Sequence, residues 1–128
     1  AKLDAGTEEY FRLINRTKIP LRRILANLTL CARQRAIVIQ SLFLKVHGQG
    51  PPAAEIGAYA DRLREILDAG GRIALVQVCT LARRAMTVVD GVPAWRFVGA
   101  LGAAELEAIA AVVRHRTGLA VACFPGEG

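Results

Sequence analysis

The most hydrophobic stretch of the chain is residues 36–44, a run rich in β-branched side chains that polar residues interrupt only at Gln40 and Ser41. A run this apolar, without strict alternation, is typical of a strand buried on both faces in a parallel sheet covered by helices. Residues 73–80 repeat the pattern around Gln77. A buried amide must form hydrogen bonds with its neighbours or with a ligand. The two glutamines therefore predict a line of polar, functional side chains across two strands of an otherwise apolar core.

Four other segments carry the signals of helices. They cover residues 8–15, 21–33, 53–69 and 103–116. Thr7 is a suitable N-cap for the first, and Gly118 is a suitable residue to end the fourth. In the second, the apolar positions follow i, i+3, i+4 and i+7, so that Arg22 and Arg23 face away from the core.

Residues 2–4 and 119–124 are two further predicted strands, and an irregular stretch is predicted after Met86, through Val98. Strands that alternate with helices of this length predict βαβ units and a parallel sheet, which is the α/β class. Four strands are too few to close a (β/α) barrel. The sheet is therefore expected to be open, or to be part of a larger barrel.

In such sheets, ligands bind beyond the C-terminal ends of the strands. Polar side chains of six residues fall toward those ends: Asp4, Gln40, Ser41, Gln77, Thr80 and Arg83. Asp4 has two open interpretations, because a carboxylate after a strand can cap the next turn or accept hydrogen bonds from a ribose diol.

Charge and cysteine content narrow the class of protein. The net charge of +6 is compatible with an acidic partner such as nucleic acid or phosphate, but the scattered arginines favour solvated residues on helix surfaces. The three cysteines lie 48 and 44 residues apart, which is neither a disulfide pattern nor a metal-ligand spacing. They predict reduced, buried thiols in a cytoplasmic protein. No apolar stretch is long enough for a transmembrane helix, so no membrane partner is expected.

Residues 2–16, Lys-Leu-Asp-Ala-Gly-Thr-Glu-Glu-Tyr-Phe-Arg-Leu-Ile-Asn-Arg, resemble the fourth strand and following helix of radical S-adenosylmethionine enzymes. In that family a Leu-Asp at the strand end precedes a helix that ends near Ile-Asn-Arg. The next segments resemble the fifth and sixth strands of the family's partial barrel. Residues 77–83, Gln-Val-Cys-Thr-Leu-Ala-Arg, are similar to a strand-and-arginine pattern in the branch related to wybutosine-type tRNA modification.

The resemblance implies an iron–sulfur oxidoreductase. Three cysteines in a Cys-x-x-x-Cys-x-x-Cys motif hold a 4Fe–4S cluster that reductively cleaves S-adenosylmethionine, and the resulting radical abstracts a hydrogen from the substrate. Carried onto this chain, the resemblance implies one set of residues that contact S-adenosylmethionine, namely Asp4, Gln40, Ser41 and Gln77. It implies a second set that contacts substrate, namely Thr80 and Arg83.

The cluster-binding motif is not in this sequence, and Cys31, Cys79 and Cys123 cannot replace it at their spacing. Residues 1–128 are therefore expected to be one domain, the C-terminal half of a partial TIM-like barrel. Alone it is expected to hold no cofactor and to be inactive. Its expected partners are the N-terminal half of the same chain, a substrate that is a tRNA or a small molecule, and a second copy paired through the open sheet edge.

Two other hypotheses fit the same sequence. One is a non-catalytic α/β module that binds a nucleotide or RNA through its basic surface. The other is an interaction domain that pairs through its free sheet edge.

Overall fold

The computed structural model describes residues 1–15, 17–81, 88–89, 92–93 and 98–126. Within them lie the four helices α1 (Glu8–Ile14), α2 (Leu21–Gln34), α3 (Ala53–Asp68) and α4 (Ala103–Thr117). The strands are β1 (Ile37–Leu42), β2 (Leu44–Val46), β3 (Ile73–Cys79), β4 (Val88–Val89), β5 (Val92–Pro93), β6 (Val98–Ala100) and β7 (Val121–Phe124). The predicted helices are confirmed, with ends within one residue of those expected.

Three strands form a parallel sheet in the order β1–β3–β7. Helix α3 lies in the chain between β1 and β3, and α4 lies between β3 and β7. The predicted α/β class and the parallel sheet are therefore confirmed.

Residues 1–3 add a short partner at the β1 edge of this sheet. Lys2 forms an isolated parallel bridge with Gln40. The Leu3 N–H donates to the Gln40 carbonyl oxygen at 3.1 Å, and the Gln40 N–H donates to the Ala1 carbonyl oxygen at 2.7 Å. The predicted strand at residues 2–4 is thus reduced to an isolated bridge at the β1 edge. In space, the order of residues 1–3, β1, β3 and β7 follows the order of the chain.

Helices α2, α3 and α4 form one layer against this sheet. Helix α3 contacts both α2 and α4, and α4 contacts β3 and β7. Apolar residues of the three helices supply the buried side chains of this layer, among them Leu21, Leu28, Tyr59, Leu63, Ile66, Leu106, Ile109 and Val113. Thr7 caps α1 by accepting a hydrogen bond from the Tyr10 N–H, and Gly118 ends α4 at a φ of 72°. None of these helices is long and apolar enough to cross a membrane.

The prediction that the central strands are buried on both faces is wrong. Ile39 and Val76 are fully buried toward the helix layer, whereas Val38 is 40% exposed. Successive side chains of a strand point to opposite faces, and in the described residues the helices pack on one face alone. The continuous apolar run misled the prediction because Val38 and Leu42 are apolar residues on the face away from the helices.

The predicted strand at 36–44 is also divided. It breaks at Phe43, which is buried and donates its N–H to the Cys79 carbonyl oxygen at 2.8 Å. Beyond the break, β2 pairs antiparallel with β6, and β4 pairs antiparallel with β5. The interpretation of residues 87–98 as irregular missed β4 and β5, which form a local pair of two-residue strands. It also missed the start of β6, whose pairing with β2 joins segments distant in sequence. The last strand begins at Val121, two residues later than predicted.

Candidate functional site

Gln40 and Gln77 are direct neighbours across β1 and β3. The register pairs Gln40 with Gln77, and Gln77 in turn with Ala122 of β7. Neighbouring strands lie about 4.8 Å apart, so one small ligand can contact both amides. They project from the side of the sheet opposite the helix layer, which we call the glutamine face. The structure therefore brings together the two residues that define the predicted line, and their binding role stays a prediction.

The two side-chain amides are largely free to bind a ligand. Gln40 is exposed and Gln77 is half-buried. The Gln40 Nε2 lies 4.0 Å from the Cys79 Sγ, a weak contact that is the one hydrogen bond formed by either side-chain amide within the described residues. The expectation that both amides are buried, so that neighbours or a ligand must satisfy them, is wrong for Gln40, which is exposed, whereas Gln77 is half-buried.

Asp4 lies at the end of the N-terminal segment, beside the last residue of β1. Its Oδ1 accepts a hydrogen bond from the Leu42 N–H at 2.8 Å. This contact fastens the chain before α1 to the end of β1, which is a structural role different from the turn cap considered above. Within the part of the chain that the structure describes, the other carboxylate oxygen forms no hydrogen bond. It can therefore still accept one from a ligand hydroxyl.

Ser41 lies on the opposite face from Gln40, against the helices. It is fully buried, and its Oγ lies 2.5 Å from the Tyr59 hydroxyl. Burial raises the pKa of Tyr59, the nearby charge of Asp4 adds to the shift, and the hydrogen bond with Ser41 opposes it. The hydroxyl pair is thus neutral at physiological pH. From the sequence, Gln40 and Ser41 are expected together against one cofactor. They cannot line the same binding surface, because adjacent residues of a strand point in opposite directions.

Thr80 follows β3 and is engaged in the core. Its Oγ1 donates to the Phe43 carbonyl oxygen at 2.8 Å and accepts from the Leu101 N–H at 2.9 Å. The side chain is 7% exposed, and its hydroxyl joins three segments of the chain. The substrate contact predicted for Thr80 is replaced by this structural role. Arg83, the other predicted substrate residue, lies outside the described residues.

The cysteines differ from the prediction of three buried thiols. Cys31 is exposed, whereas Cys79 and Cys123 are partly buried. In the described parts of the chain, no group of three histidine, cysteine or carboxylate side chains is placed to hold a metal ion. The residues described here therefore do not fit a 4Fe–4S cluster.

Cys123 is the thiol with the most altered chemistry. Burial raises its pKa to about 11, and the Glu107 carboxylate, which accepts a hydrogen bond from its Sγ at 3.2 Å, adds to the shift. We expect alkylation of Cys123 by iodoacetamide at pH 8 to be about tenfold slower than that of an ordinary thiol, because its lower thiolate fraction is only partly offset by the greater nucleophilicity of the thiolate. Mass spectrometry of the labelled peptides measures the rate.

The variant Glu107→Gln removes the neighbouring charge and should speed labelling of Cys123 while leaving that of exposed Cys31 unchanged. Equal rates for Cys123 in both proteins would contradict this role of Glu107.

The sequence interpretation missed Glu55, a carboxylate that is 4% exposed. Its two oxygens accept hydrogen bonds from the Gly6 N–H and the Thr7 hydroxyl, each at 2.6 Å. It therefore fixes the loop after residues 1–3 against the first turn of α3. A glutamate three residues after Pro52 marks the start of a helix, but nothing in the sequence indicates that its partners lie 49 and 48 residues away.

Among the described residues, the N-terminal segment beside β1 adds one cation, Lys2, and one carboxylate, Asp4, to the neutral amides of the glutamine face. Lys2 is exposed beside Gln40 at one edge, and Asp4 lies at the C-terminal end of the same segment. Amides donate and accept hydrogen bonds, so this set suits a small polar ligand with both kinds of group, such as a nucleoside or an amino acid. Within the described residues, the set includes no base–nucleophile pair.

No protein-family model, no curated protein and no solved structure matches this chain.

Proposed function

We propose that this chain forms the later part of a partial (β/α) barrel in a radical S-adenosylmethionine enzyme, and that its glutamine face lines the barrel interior. The observation that carries the proposal is the pairing of Gln40 with Gln77 on the face away from the helices. In a (β/α) barrel the helices lie outside and the inner strand face lines the interior. A ligand in that interior would meet both amides.

The order of the strands supports the same proposal. Residues 1–3, β1, β3 and β7 lie side by side in chain order, and all run parallel. A (β/α) barrel is built by this progression, in which each new strand is added at the same edge. A doubly wound sheet instead reverses direction at a switch point and has helices on both faces.

The residues present fit S-adenosylmethionine in part and do not fit its cluster. Gln40 and Gln77 supply donors and acceptors for the nucleoside or the amino-acid end of the cofactor, and Asp4 has one oxygen available for a hydroxyl. The 4Fe–4S cluster would be held by cysteines outside the described residues. Bound together, the cluster and S-adenosylmethionine supply the radical chemistry of the family.

The chain's own residues would then orient the cofactor. On the face toward the helices, the buried hydrogen bond between Ser41 and Tyr59 joins β1 to α3. At the end of the strand, Asp4 accepts a hydrogen bond from the Leu42 N–H. These contacts fix the backbone that carries Gln40, so that its amide can hold a ligand with little loss of backbone entropy.

The first test is the amino-acid sequence of the complete polypeptide. We expect a Cys-x-x-x-Cys-x-x-Cys motif before the residues described here. A complete polypeptide without this motif would overturn the proposal.

The second test is a pair of variants, Gln40→Ala and Gln77→Ala, in the complete polypeptide. Each should raise the Kd for S-adenosylmethionine by about tenfold, the effect of losing roughly one hydrogen bond. Each should change the free energy of unfolding by less than about 0.5 kcal/mol, because neither amide is buried in the core. Isothermal titration calorimetry and urea unfolding measure the two quantities.

Gln34→Ala is the matched control, since Gln34 is an exposed glutamine at the end of α2. It should leave the Kd unchanged. If Gln40→Ala instead unfolds the domain while cofactor affinity stays intact, then Gln40 is structural and the proposed site is wrong.

A further inference from the structure

Positive charge is concentrated in one continuous part of the chain. Residues 10–54 contain eight of the 17 basic residues and none of the 11 acidic ones. The rest of the chain holds nine basic and eleven acidic residues, a net charge of −2. The net charge of +6 therefore arises entirely within this segment, which includes α2.

The exposed side of α2 presents much of this charge on one surface. Arg22, Arg23 and Arg33 are all exposed, and at 100° per residue they fall within one side of the helix. The other exposed residues on that side are Ala26, Asn27, Leu30 and Gln34. We call this surface the arginine face of α2. It is turned away from Leu21, Leu28 and Ala32, the buried residues of the helix.

Among the residues that the structure describes, no carboxylate pairs with a guanidinium group of the arginine face. In the described residues, the ion pairs of arginine involve Arg62, Arg64, Arg114 and Arg116, which all lie in α3 or α4. Glu8, which lies at the start of α1, uses its carboxylate to accept hydrogen bonds from the Leu21 N–H at 3.0 and 3.2 Å. That contact occupies the Leu21 N–H, the first backbone donor of α2, so this carboxylate is not a partner of the arginine face.

The chemistry of this face favours phosphate groups of a nucleic acid. Arginine binds phosphate in a bidentate manner and is preferred over lysine at such sites. Asn27 and Gln34 add amide donors of the kind that contact phosphate and sugar oxygens. A membrane surface fits less well, since Leu30 is the one large apolar side chain on the face. A single strand also fits less well, since the face has no aromatic side chain on which bases could stack.

The dimensions of the face match a duplex. Arg22 and Arg33 are eleven residues apart, which is about 16 Å along the helix axis. The major groove of B-form DNA is about 12 Å wide. Arginines at the two ends of the face can therefore reach phosphates on both sides of one groove.

We propose that the arginine face of α2 binds the phosphate backbone of a nucleic-acid duplex without reading its sequence. This surface is separate from the glutamine face, and the inference does not depend on the radical-enzyme proposal.

The test measures binding of a fluorescent DNA duplex of about 20 base pairs by anisotropy between about 50 and 200 mM salt. Three phosphate contacts predict a slope of log K against log salt of about −2.7. The triple variant Arg22→Gln, Arg23→Gln, Arg33→Gln should bring this slope near zero and weaken binding at the lowest salt by about tenfold or more. Two duplexes of unrelated sequence should bind equally.

The matched control removes the same charge elsewhere, through Arg64→Gln, Arg72→Gln and Arg116→Gln, which are also exposed. It should keep at least two thirds of the salt slope. If the control loses as much slope as the first variant, or if the unsubstituted protein does not bind the duplex, the proposal is wrong. Tighter binding to phosphatidylserine vesicles or to polyglutamate than to the duplex would also overturn it, in favour of a membrane or an acidic protein. Thermal melting of both variants by circular dichroism checks that the fold is retained.

Discussion

Replacing Gly6 with alanine is expected to lower the free energy of unfolding by about 4 kcal/mol, the largest effect of any single substitution proposed for this chain. A Cβ atom at position 6 would lie 2.1 Å from the Tyr59 backbone nitrogen and 2.4 Å from the Ala58 carbonyl carbon. Backbone atoms of a helix cannot move aside as a flexible side chain can. The loop would have to withdraw from α3, which would also break the contact of the Gly6 N–H with Glu55.

Urea unfolding followed by circular dichroism measures this effect. Gly99→Ala is the matched control, because its added Cβ would meet only the Lys45 Cβ, at an ordinary 3.9 Å. It should change stability by less than about 1 kcal/mol. Similar losses for the two variants would mean that the close approach of Gly6 to α3 is not what excludes a larger side chain.

Thr80→Val should destabilise the fold by about 2 to 4 kcal/mol, because it leaves two buried backbone groups without a partner. Valine has nearly the shape of threonine, so packing is retained while the hydroxyl is lost. The Phe43 carbonyl oxygen and the Leu101 N–H would both be left unsatisfied. Thermal unfolding of the variant gives the size of the loss.

Thr80→Ser keeps the hydroxyl and removes one methyl group, so it should cost only about 1 kcal/mol. If the serine variant is as unstable as the valine variant, the methyl group and not the hydroxyl stabilises this junction. The comparison also bears on function, since a hydroxyl held by two core partners is not available to a substrate.

The sequence was sufficient to predict the helices and the parallel sheet, because both depend on local patterns. The apolar positions of α4 at 106, 109, 110 and 113 recur at helical spacing, and all four are buried. The same holds for the exposure of Arg22 and Arg23 on α2. Periodicity reports which side of a helix packs, and it did so correctly here.

The candidate site was predictable only in part. The match of Gln40 to Gln77 depends on strand register, which follows from packing between segments 37 residues apart and not from either segment alone. The pattern also could not separate Gln40 from Ser41, because an apolar run without alternation gives no indication of which residues face the helices. The pairings of Thr80 and Glu55 were missed for the same reason, since hydrogen bonds across the fold leave no periodic signal in the sequence.

The division of β1 into two faces has an evolutionary consequence. Mutations at positions 38, 40 and 77 alter a surface that contributes little to folding, whereas neighbours at 39, 41 and 76 are held by the core. Related chains can therefore diverge at every second position of these strands and acquire new ligand preferences while the scaffold persists. Comparison of orthologues should show this alternation as two rates of substitution along one strand.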